Sequence, residues 1–117
     1  MAPSVLVVDD AEDIRELLCQ LLEMEGYRVM QARHGREALD CVARHTPALI
    51  LLDLNMPVMN GWQFHAELQA QRLAIPVVLM TAGRVARAET LALGAAGYLA
   101  KPFDIADVLE TVARCAA

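Results

Sequence analysis

The sequence predicts an α/β fold: a five-stranded parallel sheet in the order 2-1-3-4-5, doubly wound with five helices. Three observations lead there. Leu49-Ile50-Leu51-Leu52 is a short aliphatic run that meets Asp53 and is closed by Pro57, the pattern of a strand buried on both faces of a parallel sheet. Ser4-Val5-Leu6-Val7-Val8 repeats that pattern and ends on Asp9-Asp10. Stretches with apolar residues at helical spacing separate the strands, and strict alternation implies right-handed crossovers covering both faces. The strand order comes from the general rule for such sheets rather than from the spacing, and it opens a crevice between the first and third strands.

After the first strand, Ile14, Leu17, Leu18, Leu21 and Leu22 form an apolar helical stripe, with Glu12 and Asp13 suiting the dipole of its first turn. Gly26 ends that helix. Tyr27–Ala32 is a more alternating strand and so belongs near an edge. Arg36–His45 is a second helix with Ala38, Leu39 and Val42 inward. The third strand follows, then Asn60-Gly61 as a turn, then a helix over Trp62–Gln71 with Phe64 and Leu68 stacked at i, i+4. Ile75–Met80 is the fourth strand, ending on Thr81. Ala88, Leu91, Ala92 and Ala95 mark a short fourth helix, and Gly97–Ala100 a fifth strand running into Lys101-Pro102. Asp104 is the expected N-cap of a last helix with Ile105, Val108, Leu109 and Val112 on its core face.

At 117 residues the chain is expected to be one domain, residues 1–117, large enough to fold without staples. No apolar run approaches the roughly 18 residues of a membrane helix, and the N-terminus has neither a basic region nor a cleavage site. A net charge of −5 without any basic block argues against direct nucleic-acid binding. Cys19, Cys41 and Cys115 are odd in number and set in helical patterns, as expected of reduced, half-buried thiols in a cytoplasmic protein. His34, His45 and His65 lack metal-ligand spacing and read as surface or helix-end residues.

The strand ends carry the chemistry. In a parallel sheet they share one rim, so Asp9, Asp10, Asp53, Thr81 and Lys101 gather there. Three close carboxylates need raised pKa values or a cation. Hard oxygen ligands with room for water suit Mg²⁺. A carboxylate in such a site can attack a phosphoryl group to give an aspartyl phosphate, with Lys101 and the metal neutralising oxygen charge and the Thr81 hydroxyl donating a hydrogen bond. Singly, each residue has a plainer reading: helix capping for the Asp pair or Thr81, a turn for Asp53, a solvated loop for Lys101. Their coincidence at four strand ends favours the site.

With Asp9-Asp10, Asp53-Leu54-Asn55-Met56-Pro57-Val58-Met59-Asn60-Gly61, Thr81-Ala82 and Lys101-Pro102-Phe103 in this order and spacing, the chain resembles the receiver domain of two-component response regulators, a flavodoxin-like fold, over essentially its whole length. The resemblance implies that Asp53 is phosphorylated by a sensor histidine kinase or a phosphotransfer protein. Asp10, Asp53 and the backbone carbonyl of Asn55 would hold Mg²⁺, which Mn²⁺ could replace, and Asp9 would hold it largely through water. Lys101 would contact the phosphoryl group and pair with Asp53 in its absence, its bond to Pro102 being cis. Thr81 and Tyr98 would form the switch pair, the ring moving from exposed to buried; a half-buried strand tyrosine is the plainer reading of Tyr98. Ala82 would leave the donor an open approach.

The expected function is therefore a phosphorylation-activated switch that is not a conventional enzyme, although it catalyses its own phosphoryl transfer and dephosphorylation. A metal-dependent phosphohydrolase is the main alternative, but that class carries a second acid where Asn55 stands. A docking-only receiver would not need all five site positions, and a flavin-binding fold would need a phosphate-cradling loop after the first strand. Output would pass through a downstream protein at the surface between Arg84 and Ala117, which includes Arg87, Glu89, Asp107, Glu110 and Arg114. The chain would be a monomer or a phosphorylation-dependent dimer, with no membrane contact.

Overall fold

The structure, a computed structural model, describes residues 3–53, 61–71, 74–81 and 95–116. Along the chain run β1 (Ser4–Val8), α1 (Glu12–Met24), β2 (Arg28–Ala32), α2 (Gly35–Arg44), β3 (Leu49–Asp53), α3 (Gly61–Ala70), β4 (Val77–Thr81), β5 (Gly97–Ala100) and α4 (Ile105–Cys115). The strands form one sheet in the order β2-β1-β3-β4-β5, every neighbouring pair parallel, as the sequence predicts. Of the fourth helix expected from the sequence, Ala88, Leu91 and Ala92 lie outside the described residues.

Side chains alternate across the sheet, and among the described residues each face packs against a different pair of helices. Leu6, Val8, Ile50, Leu52, Val77 and Leu79 pack with residues of α2 and α3, including Val42, Phe64 and Leu68. Val5, Val7, Leu49, Leu51, Val78 and Met80 pack with residues of α1 and α4, including Leu18, Leu22, Val108 and Val112. β1 and β3 are buried at every position, which explains their unbroken aliphatic sequences. β2 is one of the two edge strands, and its partial exposure explains its alternating sequence.

Several boundaries and faces differ from expectation for physical reasons. β4 begins at Val77 rather than Ile75 because Pro76 has no N–H for the ladder, although its carbonyl still accepts from the Ile50 amide at 3.0 Å. The buried face of α1 is Arg15, Leu18, Cys19 and Leu22, spaced i, i+3, i+4, i+7, while Leu17 of the expected stripe is 47% exposed. In α4 the buried residues are Val108, Thr111 and Val112, and Ile105 in the first turn faces outward. Asp104 occupies the N-cap position there without a side-chain capping bond. His34 does cap α2, its Nδ1 accepting from the Glu37 amide at 3.3 Å. Among the described residues, no helix is long and apolar enough to cross a membrane.

Candidate functional site

Register assembles the rim. Val8 pairs with Leu52 across β1 and β3, so Asp9 and Asp53 sit side by side at the next level. Asp53 pairs with Met80, and Thr81 with Ala100, which puts Lys101 one residue beyond the end of β5. Elements that the sequence separates widely therefore deliver their terminal residues to one place. Among the described residues, Asp9, Asp10 and Asp53 bring carboxylate oxygens within 4.8 Å of one another.

Asp9 is fully buried. Its Oδ1 accepts from the Ala11 amide at 2.9 Å, its Oδ2 from Lys101 Nζ at 2.7 Å, and its amide donates to the Ala32 carbonyl at 3.1 Å. Lys101 Nζ also lies 3.4 Å from Asp53 Oδ2. The expected Lys101–Asp53 pairing is thus present but secondary. The short contact goes to Asp9, whose wholly buried carboxylate needs a cation more than its neighbour does. Burial of the Lys101 ammonium acts to lower its pKa, but the hydrogen bond and charge of Asp9, joined by Asp53, outweigh this and hold the pKa above its ordinary value. The bond from Lys101 to Pro102 is cis.

Three carboxylates against one paired ammonium leave two formal negative charges at the cluster. Hard oxygen donors at this separation, with Asp10 exposed and open to water, fit a small divalent cation. Other expected participants are placed less fully. Asn55 and Ala82 lie outside the described residues, as do Arg84, Arg87 and Glu89. Thr81 ends β4 on the same rim, but its side chain lies outside the description. Tyr98 is separate from the acidic cluster: it is 41% exposed on β5 and lines a groove of about 380 Å³ with Asp107, Glu110 and Thr111 of α4.

Arg15 did not stand out in the sequence. It is buried on α1, donating from Nη1 to the Asp9 carbonyl at 2.9 Å and from Nε to Gln31 Oε1 at 3.1 Å. Its spacing with Leu18, Cys19 and Leu22 was the available signal, masked by the more apolar neighbouring stripe.

Comparison with known proteins finds relatives along nearly the whole chain. Sporulation initiation phosphotransferase F of Bacillus subtilis is 38% identical over 116 residues, covering 97% of this chain and 94% of that protein. Response regulator protein FleR of Pseudomonas aeruginosa is 40% identical over 97% of this chain, which spans only 24% of FleR. The chemotaxis response regulator CheY4 of Vibrio cholerae superposes with a TM-score of 0.89 at 35% identity, over 98% of this chain and 99% of CheY4. Residues 5–113 match the family described as the response regulator receiver domain, and on this ground the chain belongs to that family.

Proposed function

We propose that residues 1–117 act as a single receiver domain whose phosphoacceptor is Asp53 and whose reaction depends on Mg²⁺, or on Mn²⁺ in its place. Membership of the family makes the chain a response-regulator switch. The observation that supports this chemistry best is the Asp9–Lys101–Asp53 bridge beside the exposed Asp10: a buried nucleophile, a fixed cation and an open acidic position within one cluster.

Asp53 is held at the end of β3, 4% exposed, so its direction is set by the sheet. In the transfer its carboxylate oxygen bonds to phosphorus as the bond from phosphorus to the donor breaks. With a phosphohistidine donor, the departing imidazole nitrogen keeps the electron pair and takes up a proton. Lys101, already within 3.4 Å of Asp53, can follow charge onto the phosphoryl oxygens with little movement. Asp9 keeps that ammonium charged and in place. A bound divalent cation would supply further charge neutralisation, held by Asp10 and Asp53, with the Asn55 carbonyl completing the set and Asp9 acting through water. Thr81 and Tyr98 would report the modification, the Thr81 hydroxyl turning toward the phosphoryl group and the exposed Tyr98 ring moving inward.

The donor would be a histidine kinase or histidine phosphotransfer protein in the cytoplasm, a compartment consistent with three free cysteines. A downstream protein would engage the surface that includes Asp107, Glu110 and Arg114 of α4, and this chain would itself be a monomer or a phosphorylation-dependent dimer. The domain would also catalyse its own dephosphorylation. The phosphohydrolase and docking-only readings gain no support from this site.

Incubation with acetyl phosphate or phosphoramidate and Mg²⁺ should add one phosphoryl group by mass, stable in acid and labile in base. Asp53→Asn should abolish the adduct, as should chelation of the metal. An adduct that survives Asp53→Asn would refute the assignment.

A further inference from the structure

We infer that Arg15 is a positioning residue for the cation site, acting through the Asp9–Asp10 peptide to aim the Asp10 carboxylate. The inference rests on the reading of Asp9, Asp10 and Asp53 as a divalent-cation site. Three observations carry it.

First, the carboxylate of Asp10 has no hydrogen-bond partner among the described residues, so among these its backbone is what sets its direction. Asp9 is different, since its side chain is fixed by Ala11 and Lys101. Secondly, the backbone just before Asp10 is held from behind. Arg15 Nη1 donates to the Asp9 carbonyl at 2.9 Å in a buried setting, and that carbonyl belongs to the planar unit containing the Asp10 amide. Fixing the oxygen on one side fixes the direction in which the chain leaves toward Asp10 on the other.

Thirdly, the guanidinium is itself clamped and is not used in an ion pair. It forms no salt bridge among the described residues, and its Nε donates to Gln31 Oε1 on β2 at 3.1 Å. A buried arginine with two neutral acceptors is a costly choice for packing alone. Its planar fork suits it to hold two partners at a set angle, which a lysine cannot reproduce. The clamp therefore ties α1, the end of β1 and the edge strand β2 to one rigid unit behind the acidic cluster.

A simple charge argument makes the opposite prediction. Removing a cation from behind three carboxylates would raise their attraction for Mg²⁺, whereas removing a positioning contact would lower it. Mg²⁺ affinity of the intact chain, measured by titration calorimetry, separates the two. Arg15→Met and Arg15→Lys should each weaken Mg²⁺ binding by about 10-fold, as is usual when the support of a ligand is lost. Gln31→Met, on the exposed edge strand, should weaken it less but in the same direction. Folding of each variant is checked by urea titration. In the unmodified protein, the Arg15 Nε–H resonance should shift with Mg²⁺ along the same isotherm as the Asp10 amide, so variants that fail to fold leave a decisive measurement. Folded variants with unchanged affinity, tighter binding in Arg15→Met, or an Nε–H resonance indifferent to Mg²⁺ would overturn the inference. Absence of saturable Mg²⁺ binding in the unmodified protein would instead overturn the cation site beneath it.

Discussion

Lys101 and Asp9 form the shortest contact of the rim, and the buried Asp9 carboxylate would lose its cation if Lys101 were removed, whereas Lys101 keeps Asp53 within 3.4 Å. Asp9 is fully buried and Lys101 largely so, at 2.7 Å. Removing the ammonium of such a pair strands the buried carboxylate, at a cost of about 3 kcal/mol. Lys101→Met should lose about that much in urea unfolding, and Asp9→Asn combined with Lys101→Met should cost less than the two single changes added together. An additive cycle would mean that the ion pair contributes nothing. Among the thiols, burial pushes Cys19 up to about 11, with Glu23 acting in the same direction and Arg15 against it. At neutral pH Cys19 should therefore react with a disulfide reagent far more slowly than half-buried Cys115. Single-cysteine variants would show this directly.

The helix ends illustrate how local chemistry fixes an element. α1 stops because Gly26 takes φ +93 and its amide returns to the Glu23 carbonyl at 3.0 Å. Nothing lies within 4 Å of where a Cβ would project, so the penalty for Gly26→Ala is conformational alone. It should amount to about 1–2 kcal/mol in chemical denaturation. Gly97 is the contrasting case. Its added Cβ would meet the mobile end of Arg114 at 3.4 Å and Thr111 Cγ2 at 3.7 Å. Gly97→Ala should leave stability nearly unchanged, since the closest neighbour is the far end of a flexible side chain. At the start of α2, His34 and Glu37 satisfy backbone amides in turn, Glu37 reaching back to the Arg33 amide at 3.1 Å.

At the scale of the molecule, pH and metal should act on opposite sides of the same site. Lys101 has a raised pKa in the fold, so its contribution is complete below the unfolded value of 10.5 and is lost as pH rises through the higher folded value. Cys19 has the same sign: its contribution fades between its ordinary 9.0 and about 11. Urea midpoints should therefore decline through this alkaline window, less steeply in Cys19→Ala. Metal acts in the other direction. A cation that binds only the folded cluster should raise the melting temperature as Mg²⁺ is added at constant ionic strength. Asp10→Asn should blunt that rise, whereas an equal rise in Asp10→Asn would place the bound ion elsewhere.

The sheet was legible because β1 and β3 are buried on two faces, which forces unbroken aliphatic runs, and because each run ends on a polar residue. Asp9, Asp10, Asp53 and Lys101 were likewise legible, since β-strand ends in a parallel sheet must share a rim. Helix faces were less so. A one-residue rotation of α1 exposes Leu17 and buries Arg15, and apolar spacing alone does not distinguish the two stripes. By itself the sequence determined the fold class, the rim and its chemical character. Only the tertiary structure decided that Lys101 answers first to Asp9 and that Arg15 grips the peptide before Asp10, because both depend on which buried polar atom lies nearest to a cation across elements far apart in the chain.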